Sequence, residues 1–438
     1  MEFVKNISKT GCPCGKAHIF DSEVIAGKGA IDYLPDALGK FSTKKVFLLA
    51  DKNTYNAAGV RVCDLLKQND ISVSSYIFES EHLEPDECAV GLAVMNFDES
   101  CDAIIGVGSG VINDIGKILA NISDKLYIIV ATAPSMDGYA SASSSMAMDG
   151  VKVSLKSRCA DVIIGDTDIL KNAPSRMLIS GIGDMLAKYI SICEWRISNI
   201  ITGEYYCEAV ASLIRDALKK CVENADGLIN RDEKAVEAVF SGLVLGGVAM
   251  NYAGLSRPAS GVEHYFSHIW DMRGLEFGEK VDFHGIQCAV GTMYAAKIYE
   301  KLKNIVPDRE KALKFVQGFD YAAYKKTLKG FLGRGADTMI QLEEKEQKYS
   351  VEKHEKRLEI ILDNWDKLLK IINEEIPAVA ELEKLYEKLG MPKTAEEIGI
   401  DEGIVPKTFE VTKDIRDKYV LSRLCWDLGI LDEAKGEL

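Results

Sequence analysis

Between residues 45 and 134 the chain alternates short apolar runs with helical segments, and no other feature limits its fold as much. VFLLAD (46–51), VSSYIF (73–78), AIIGVGSG (103–110) and YIIVATAP (127–134) read as strands, with NAAGVRVCDLLKQN, PDECAVGLAVMNF and VINDIGKILAN as the helices between them. Strands that alternate with helices pair in parallel through right-handed crossovers, so this half of the chain is expected to form an open, mostly parallel α/β sheet. Ligands of such sheets bind beyond the carboxyl ends of the strands. KVSLK and DVIIG further on are expected as an edge hairpin or as late strands. After Asp168 nearly everything reads as helix, which sets a domain boundary near residue 170: an α/β domain of residues 1–170 and an all-α domain of residues 171–438. In HEKRLEIILDNWDKLLKIINEEI, for example, Leu358, Ile361, Trp365, Leu368, Leu369 and Ile372 make one apolar stripe at helical spacing. The charged run LEEKEQKYSVEKHEKR beside it reads as a solvated helix face.

Charge and cysteine content narrow the function classes. A formal net charge of -14 argues against a nucleic-acid or anionic-membrane partner, while leaving small phosphorylated ligands open. Although 47% of the residues are apolar, no uninterrupted membrane span is expected. The opening MEFVKNISKTGCPCG is polar and lacks the apolar run of a secretory signal, so a cytoplasmic protein is expected. Eleven scattered cysteines do not look like a disulfide framework and fit a reducing compartment. One cluster, Cys12, Cys14 and His18 in GCPCGKAH, is either a metal knuckle or, more simply, a tight N-terminal hairpin.

Three of the six histidines, His264, His268 and His284, fall between Ser256 and Gly291. A helix over His264–His268 would put both imidazoles on one face, and a second helix could return His284 alongside. That pattern suits a metal site as well as core packing. GVGSGVINDIGK, Gly106 to Lys117, sits at a strand-to-helix turn where glycines let backbone amides approach a pyrophosphate. It departs from the dinucleotide fingerprint because Asn113 stands where the third glycine would be, and a plain glycine-rich turn explains it equally. Asp51 ends a strand, where it could accept from an adenosine ribose or cap the next helix. TAPSMDGYAS, Thr132 to Ser141, gathers hydroxyls and one acid at the same sheet end, suited to phosphate and nicotinamide contacts or to a turn. Asp184, read close to the start of a helix in GIGDMLAKYIS, is either an anionic metal ligand or an ordinary first-turn acid.

Taken in order, GVGSGVINDIGK, TAPSMDGYAS, GDMLAK, SRPASGVEHYFSH and FHGIQCAVG resemble the sn-glycerol-1-phosphate dehydrogenases, especially the bacterial type. These belong to the superfamily of iron-containing alcohol dehydrogenases and dehydroquinate synthases. The resemblance implies a Rossmann-like α/β domain followed by a helical, dehydroquinate synthase-like domain. It also implies that Asp184, His264 and His284 bind one divalent metal, zinc, nickel or iron, with one position open for substrate. Asp137 and His268 would contact substrate, together with Asp184. Gly108, Ser109, Gly110, Val111, Ile112 and Asp114, with Lys117, would surround the pyrophosphate of NAD, or of NADP; Asp51 would meet the ribose, and Thr132, Ser135 and Ser141 would line the cofactor. Arg257 and Lys188 are further candidates for a substrate phosphate.

Several positions depart from the wider superfamily. Lys188 stands where the alcohol dehydrogenases place a fourth ligand, and Asp184 where dehydroquinate synthases have Glu. Val111 replaces an Arg of archaeal members. Cys288 replaces an aliphatic residue and is read as packing. The implied activity is reversible hydride transfer between NAD(P)H and dihydroxyacetone phosphate, giving sn-glycerol 1-phosphate. Alternatives are a metal-dependent dehydrogenase of glycerol or another polyol, a dehydroquinate synthase-like lyase, and a non-catalytic metal- and nucleotide-binding protein. Exposed helix faces in the C-terminal half are expected to serve a homo-oligomer.

Overall fold

Six strands rich in β-branched and small residues pair in parallel. In the computed structural model, which describes residues 12–80, 82–149 and 151–438, these are β1 (Glu23–Gly27), β2 (Lys45–Asp51), β3 (Ser72–Phe78), β4 (Ala103–Gly108), β5 (Leu126–Ala131) and β8 (Val162–Asp166). A separate antiparallel hairpin joins β6 (Ser143–Met148) to β7 (Val151–Lys156). The main sheet has the order β1-β8-β5-β4-β2-β3. All six residues of β4 and all five of β8 are buried, because helices cover both faces of a parallel sheet and leave no side to water. DVIIG is therefore an inner strand, whereas KVSLK belongs to the hairpin. The mostly parallel sheet expected from the sequence is the one observed.

The chain divides into two compact units. One runs to Met185 and takes in Ala209–Leu255; the other comprises Leu186–Glu208 and Ser256–Leu438. The first holds the sheet, helix α1 (Gly110–Ser123), helix α2 (Ser175–Leu186, ending at the unit boundary) and helix α4 (Glu233–Ala253). The second is helical and includes α3 (Lys188–Thr202), α5 (Val262–Phe277), α6 (His284–Leu302) and α7 (Val351–Glu375). Leu358, Ile361, Trp365, Leu368 and Ile372 of α7 are buried as the apolar stripe requires, and Leu369 sits at its edge. The charged run before α7 is two helix ends, since Gln347 adopts a left-handed conformation and the Ser350 side chain caps α7.

Helix α4 is where the expectation of no membrane span can be tested, by asking whether a helix is long and apolar enough to cross a bilayer. It meets that test by length and composition, yet 67% of its apolar window is buried inside the protein. Its apolar face lies on the sheet, where Phe240 occupies the space over Gly165 of β8; a Cβ added at Gly165 would stand 2.0 Å from the Phe240 ring. Gly165→Ala should therefore lower the unfolding free energy by about 1–3 kcal/mol, the usual penalty for overpacking, read as a lower urea midpoint. An unchanged midpoint would mean that Phe240 moves aside at no cost.

Candidate functional site

Strand β2 continues outward to β3, while β4 continues to β5 on its other side, so neighbours β2 and β4 lead away from each other. Their carboxyl ends, Asp51 and Gly108, therefore flank the crevice in which open α/β sheets bind ligands. Helix α1 begins there at Gly110, and its first amides face the crevice end of the sheet. The turn before it needs glycine for space: a Cβ at Gly108 would lie 2.5 Å from the Ile112 Cβ. Ile112 is buried in the core and offers this turn only its backbone.

The missing third glycine has a substitute. Cβ atoms added at Gly106 and Gly116 would stand 2.5 Å and 2.4 Å from the Tyr127 hydroxyl, so strand and helix close over that ring one turn later than in the dinucleotide fingerprint. Asn113, freed from that packing role, donates from Nδ2 to the Gly138 carbonyl at 3.1 Å. Lys117 is fully buried; its ammonium pairs with Asp114 at 2.9 Å and donates to the Gly138 and Ser143 carbonyls. These contacts make Lys117 a residue that positions the 138–143 segment rather than a direct pyrophosphate partner. Burial pushes the Asp114 carboxyl up against the opposing pull of Lys117.

The loop leaving β5 carries Thr132, Ser135, Asp137 and Ser141. It presses against α2 so closely that a Cβ on Gly181 would meet the Pro134 carbonyl oxygen at 1.8 Å. Beside that contact Ser180 Oγ donates to Ser135 O at 2.9 Å, and Asp184 Oδ2 accepts the Asp137 N–H at 2.9 Å. Ser141 Oγ shares a hydrogen bond with Ser143 Oγ at 3.0 Å. Thr132 N–H bonds Gly108 O at 3.1 Å, which ties the two loops of the crevice together. Asp184 is fully buried and lies in the last turn of α2, not the first. The helix dipole therefore opposes its charge instead of favouring it. Carboxylate oxygens of Asp137 and Asp184 lie within 4.8 Å of one another, a repulsion that a cation relieves.

In the second unit, α5 and α6 present three imidazoles. His264 and His268 share one face of α5 with ring centroids 6.4 Å apart, as the i,i+4 spacing predicts. The His284 ring is 4.9 Å from that of His264 and 5.9 Å from that of His268. Close approach of the two helices depends on Gly291, where a Cβ would lie 2.7 Å from the Glu263 carbonyl oxygen. Glu263 Oε1 bonds His264 Nδ1 at 2.8 Å, and Ser267 Oγ bonds His284 Nδ1 at 2.9 Å. Because each Nδ1 has a protein partner, Nε2 is the nitrogen suited to ligation, the usual outer-shell arrangement of metal-binding histidines. Cys288, one turn after His284, brings its Sγ within 4.8 Å of a ring nitrogen of both His264 and His284. It belongs to the donor cluster, a role beyond the packing expected of it; the i,i+4 spacing from His284 was the available signal.

Behind this cluster sit buried charges. Burial pushes the Glu194 and Glu263 carboxyls up, and Glu263 raises Glu194 further by repulsion. Glu194 accepts the N–H groups of Val262 and Leu421, at 3.0 Å and 2.8 Å. Burial holds Lys418 down to about 7. One expectation changes here. Arg257 is fully buried, with its fork on Glu204 and further bonds to Tyr419 O and Ser198 Oγ, so it is a packing ion pair and not a phosphate partner. Lys188 is buried as well and donates to Ala259 O at 3.1 Å. Asp51 does cap the next helix: Oδ1 accepts the Thr54 N–H at 2.9 Å while Thr54 Oγ1 accepts the Asp51 N–H, a full capping box.

Residues 25–174 match the family described as iron-containing alcohol dehydrogenase. A glycerol-1-phosphate dehydrogenase [NAD(P)+] of Halalkalibacterium halodurans is 29% identical over 415 residues, 94% of this chain and 94% of the relative. One from Bacillus velezensis is 32% identical over 319 residues, 71% of this chain and 80% of the relative. Among solved structures, the glycerol dehydrogenase of Schizosaccharomyces pombe superposes with a TM-score of 0.62 at 20% identity, covering 96% of this chain and 92% of that one. This likeness concerns the fold.

If Nε2 of His284 ligates metal, Ser267→Ala removes the partner that orients its ring. Affinity for a divalent ion should fall about 10–100-fold, measured by competition with a chromogenic chelator. Unchanged affinity would exclude Ser267 as an orienting residue.

Proposed function

The chain belongs to the NAD(P)-dependent glycerol-1-phosphate dehydrogenase family and is an oxidoreductase; on that premise we propose that it interconverts dihydroxyacetone phosphate and sn-glycerol 1-phosphate. In this proposal Asp184, His264 and His284 hold one divalent ion. One buried carboxylate and two imidazoles fit zinc, nickel or ferrous iron. The bound ion supplies Lewis acidity at the substrate carbonyl, and the reduced nicotinamide supplies the hydride.

The protein's part is to bind, orient and exclude water. Amides of Gly110 and Val111 at the start of α1, with Gly108 and Ser109, receive the pyrophosphate. Asp114 and Lys117 act behind them by fixing the 138–143 segment. Thr132, Ser135 and Ser141 line the nicotinamide side, and Asp51 meets the ribose with the carboxylate its capping box already orients. Asp137 and His268 contact the substrate, His268 from the same helix face as His264 and therefore able to exchange a proton with the substrate oxygen. The observation that carries the reading is the pair His264 and His284, each with Nδ1 held by a protein partner. The phosphorylated substrate class is supported by the names of the relatives, which cover most of the chain.

Replacing either His264 or His284 by Ala should remove bound metal and turnover together while the helical circular dichroism is retained. Full activity with metal still bound excludes the assignment. With NADH, dihydroxyacetone phosphate should exceed unphosphorylated dihydroxyacetone in kcat/KM by at least about 100-fold, as in sites built around a polar substrate group. Equal values would move the reading to glycerol or a related polyol, and chiral analysis of the product tests the sn-1 configuration.

A further inference from the structure

The first described residues of the chain carry a second cluster of metal-ligating atoms, separate from the residues assigned above. Cys12, Cys14 and His18 bring two Sγ atoms and one ring nitrogen within 4.8 Å of one another. The convergence is built by a tight turn: Gly15 N–H bonds Cys12 O at 2.9 Å, and Gly15 takes φ +77°, a conformation that favours glycine. Cys14 Sγ lies 3.2 Å from His18 Nε2. His18 is buried, and its other nitrogen, Nδ1, is 2.9 Å from the Tyr252 carbonyl oxygen. A carbonyl can only accept, so Nδ1 carries the proton and Nε2 presents its lone pair toward the sulfurs. A ring nitrogen held in this way by a backbone carbonyl is the outer-shell partner that metal-bound histidines use.

Tyr252 stands in the last turn of α4, whose final carbonyls lack partners within the helix. The His18 N–H satisfies one of them. The negative end of the helix dipole also favours positive charge at this place.

We propose that Cys12, Cys14 and His18 bind a structural zinc ion that fastens the segment of residues 12–18 to the end of α4. Two thiolates and an imidazole match zinc in softness and ligand type. A fourth position is left for a further donor. Binding converts two thiols to thiolates with release of two protons and involves no change of oxidation state. Helix α4 also carries Gly246 and Gly247, where added Cβ atoms would lie 3.1 Å from the Asp137 Cβ and 2.8 Å from Ala140 atoms. The zinc would therefore act on stability through a helix that also shapes the loop of the candidate site.

The test uses the full chain with His264 and His284 both replaced by Ala, so that the site of the proposed reaction is empty and only the second site is read. After dialysis against a weak chelator this protein should retain about one zinc per chain, with sulfur neighbours near 2.3 Å by X-ray absorption. Adding Cys12→Ser and Cys14→Ser should abolish that zinc and lower the melting temperature. Should the cysteine variant fail to fold, peptide mapping of the wild-type chain replaces it: Cys12 and Cys14 should resist alkylation until a strong chelator strips the metal. The proposal is overturned by zinc that survives loss of both cysteines, by the absence of a zinc–sulfur shell, by full alkylation before chelation, or by a Cys12–Cys14 disulfide in the freshly isolated protein.

Discussion

Helix α2 and the loop after β5 meet backbone to backbone at Gly181 and Pro134, and the first unit's contribution to chemistry depends on that contact. No side chain fits between them. Ser180 and Asp184, on either side of the glycine, are thereby close enough to bond Ser135 and Asp137 through the loop's own backbone. A carboxylate that receives a main-chain N–H is held more rigidly than one steered by a flexible partner, and rigidity of this kind is what a metal ligand or a substrate contact needs.

Buried charge is distributed by the same logic. Asp114 and Lys117 neutralise each other beneath the turn of α1, and Arg257 and Glu204 do so in the second unit. Glu194 and Glu263 are different, because burial raises both carboxyls and the charge of Glu263 raises Glu194 further. Taking such groups out of water is costly unless hydrogen bonds compensate. Here the compensation comes from the amides of Gly261, Val262 and Leu421, all at helix starts or just before them. The result is a firm base under His264 at the first turn of α5.

Much of this could be read from sequence, and the exceptions have physical causes. β2, β4 and β5 are legible because strands buried on both faces are unbroken apolar runs, and β3 follows from its β-branched composition. The edge strand β1, EVIAG, is short, and the run DVIIG gives no sign that it will lie inside the sheet rather than at its rim. SSSMAM has poor strand propensity and pairs only because β7 returns beside it. His264 and His268 are recognisable by spacing, since i,i+4 is a local relation. By contrast, the partners of Lys117 and Arg257 lie up to 26 and 162 residues away, and no periodicity encodes them. Asp184 falls in the last turn of its helix and not the first, because the helix starts back at Ser175, ahead of Gly181 and Gly183, whose local pattern reads as a break. The third glycine of the dinucleotide turn is shifted to Gly116, where only the position of the Tyr127 ring explains it.

The division of the chain into units has one more consequence. The polypeptide passes from one unit to the other at Met185, returns after Glu208 and leaves again after Leu255. Neither unit is thus a continuous piece of sequence, and a truncation at any single peptide bond strips one unit of part of its interior. A fragment ending near residue 170, for instance, lacks Phe240 and exposes the hollow over Gly165.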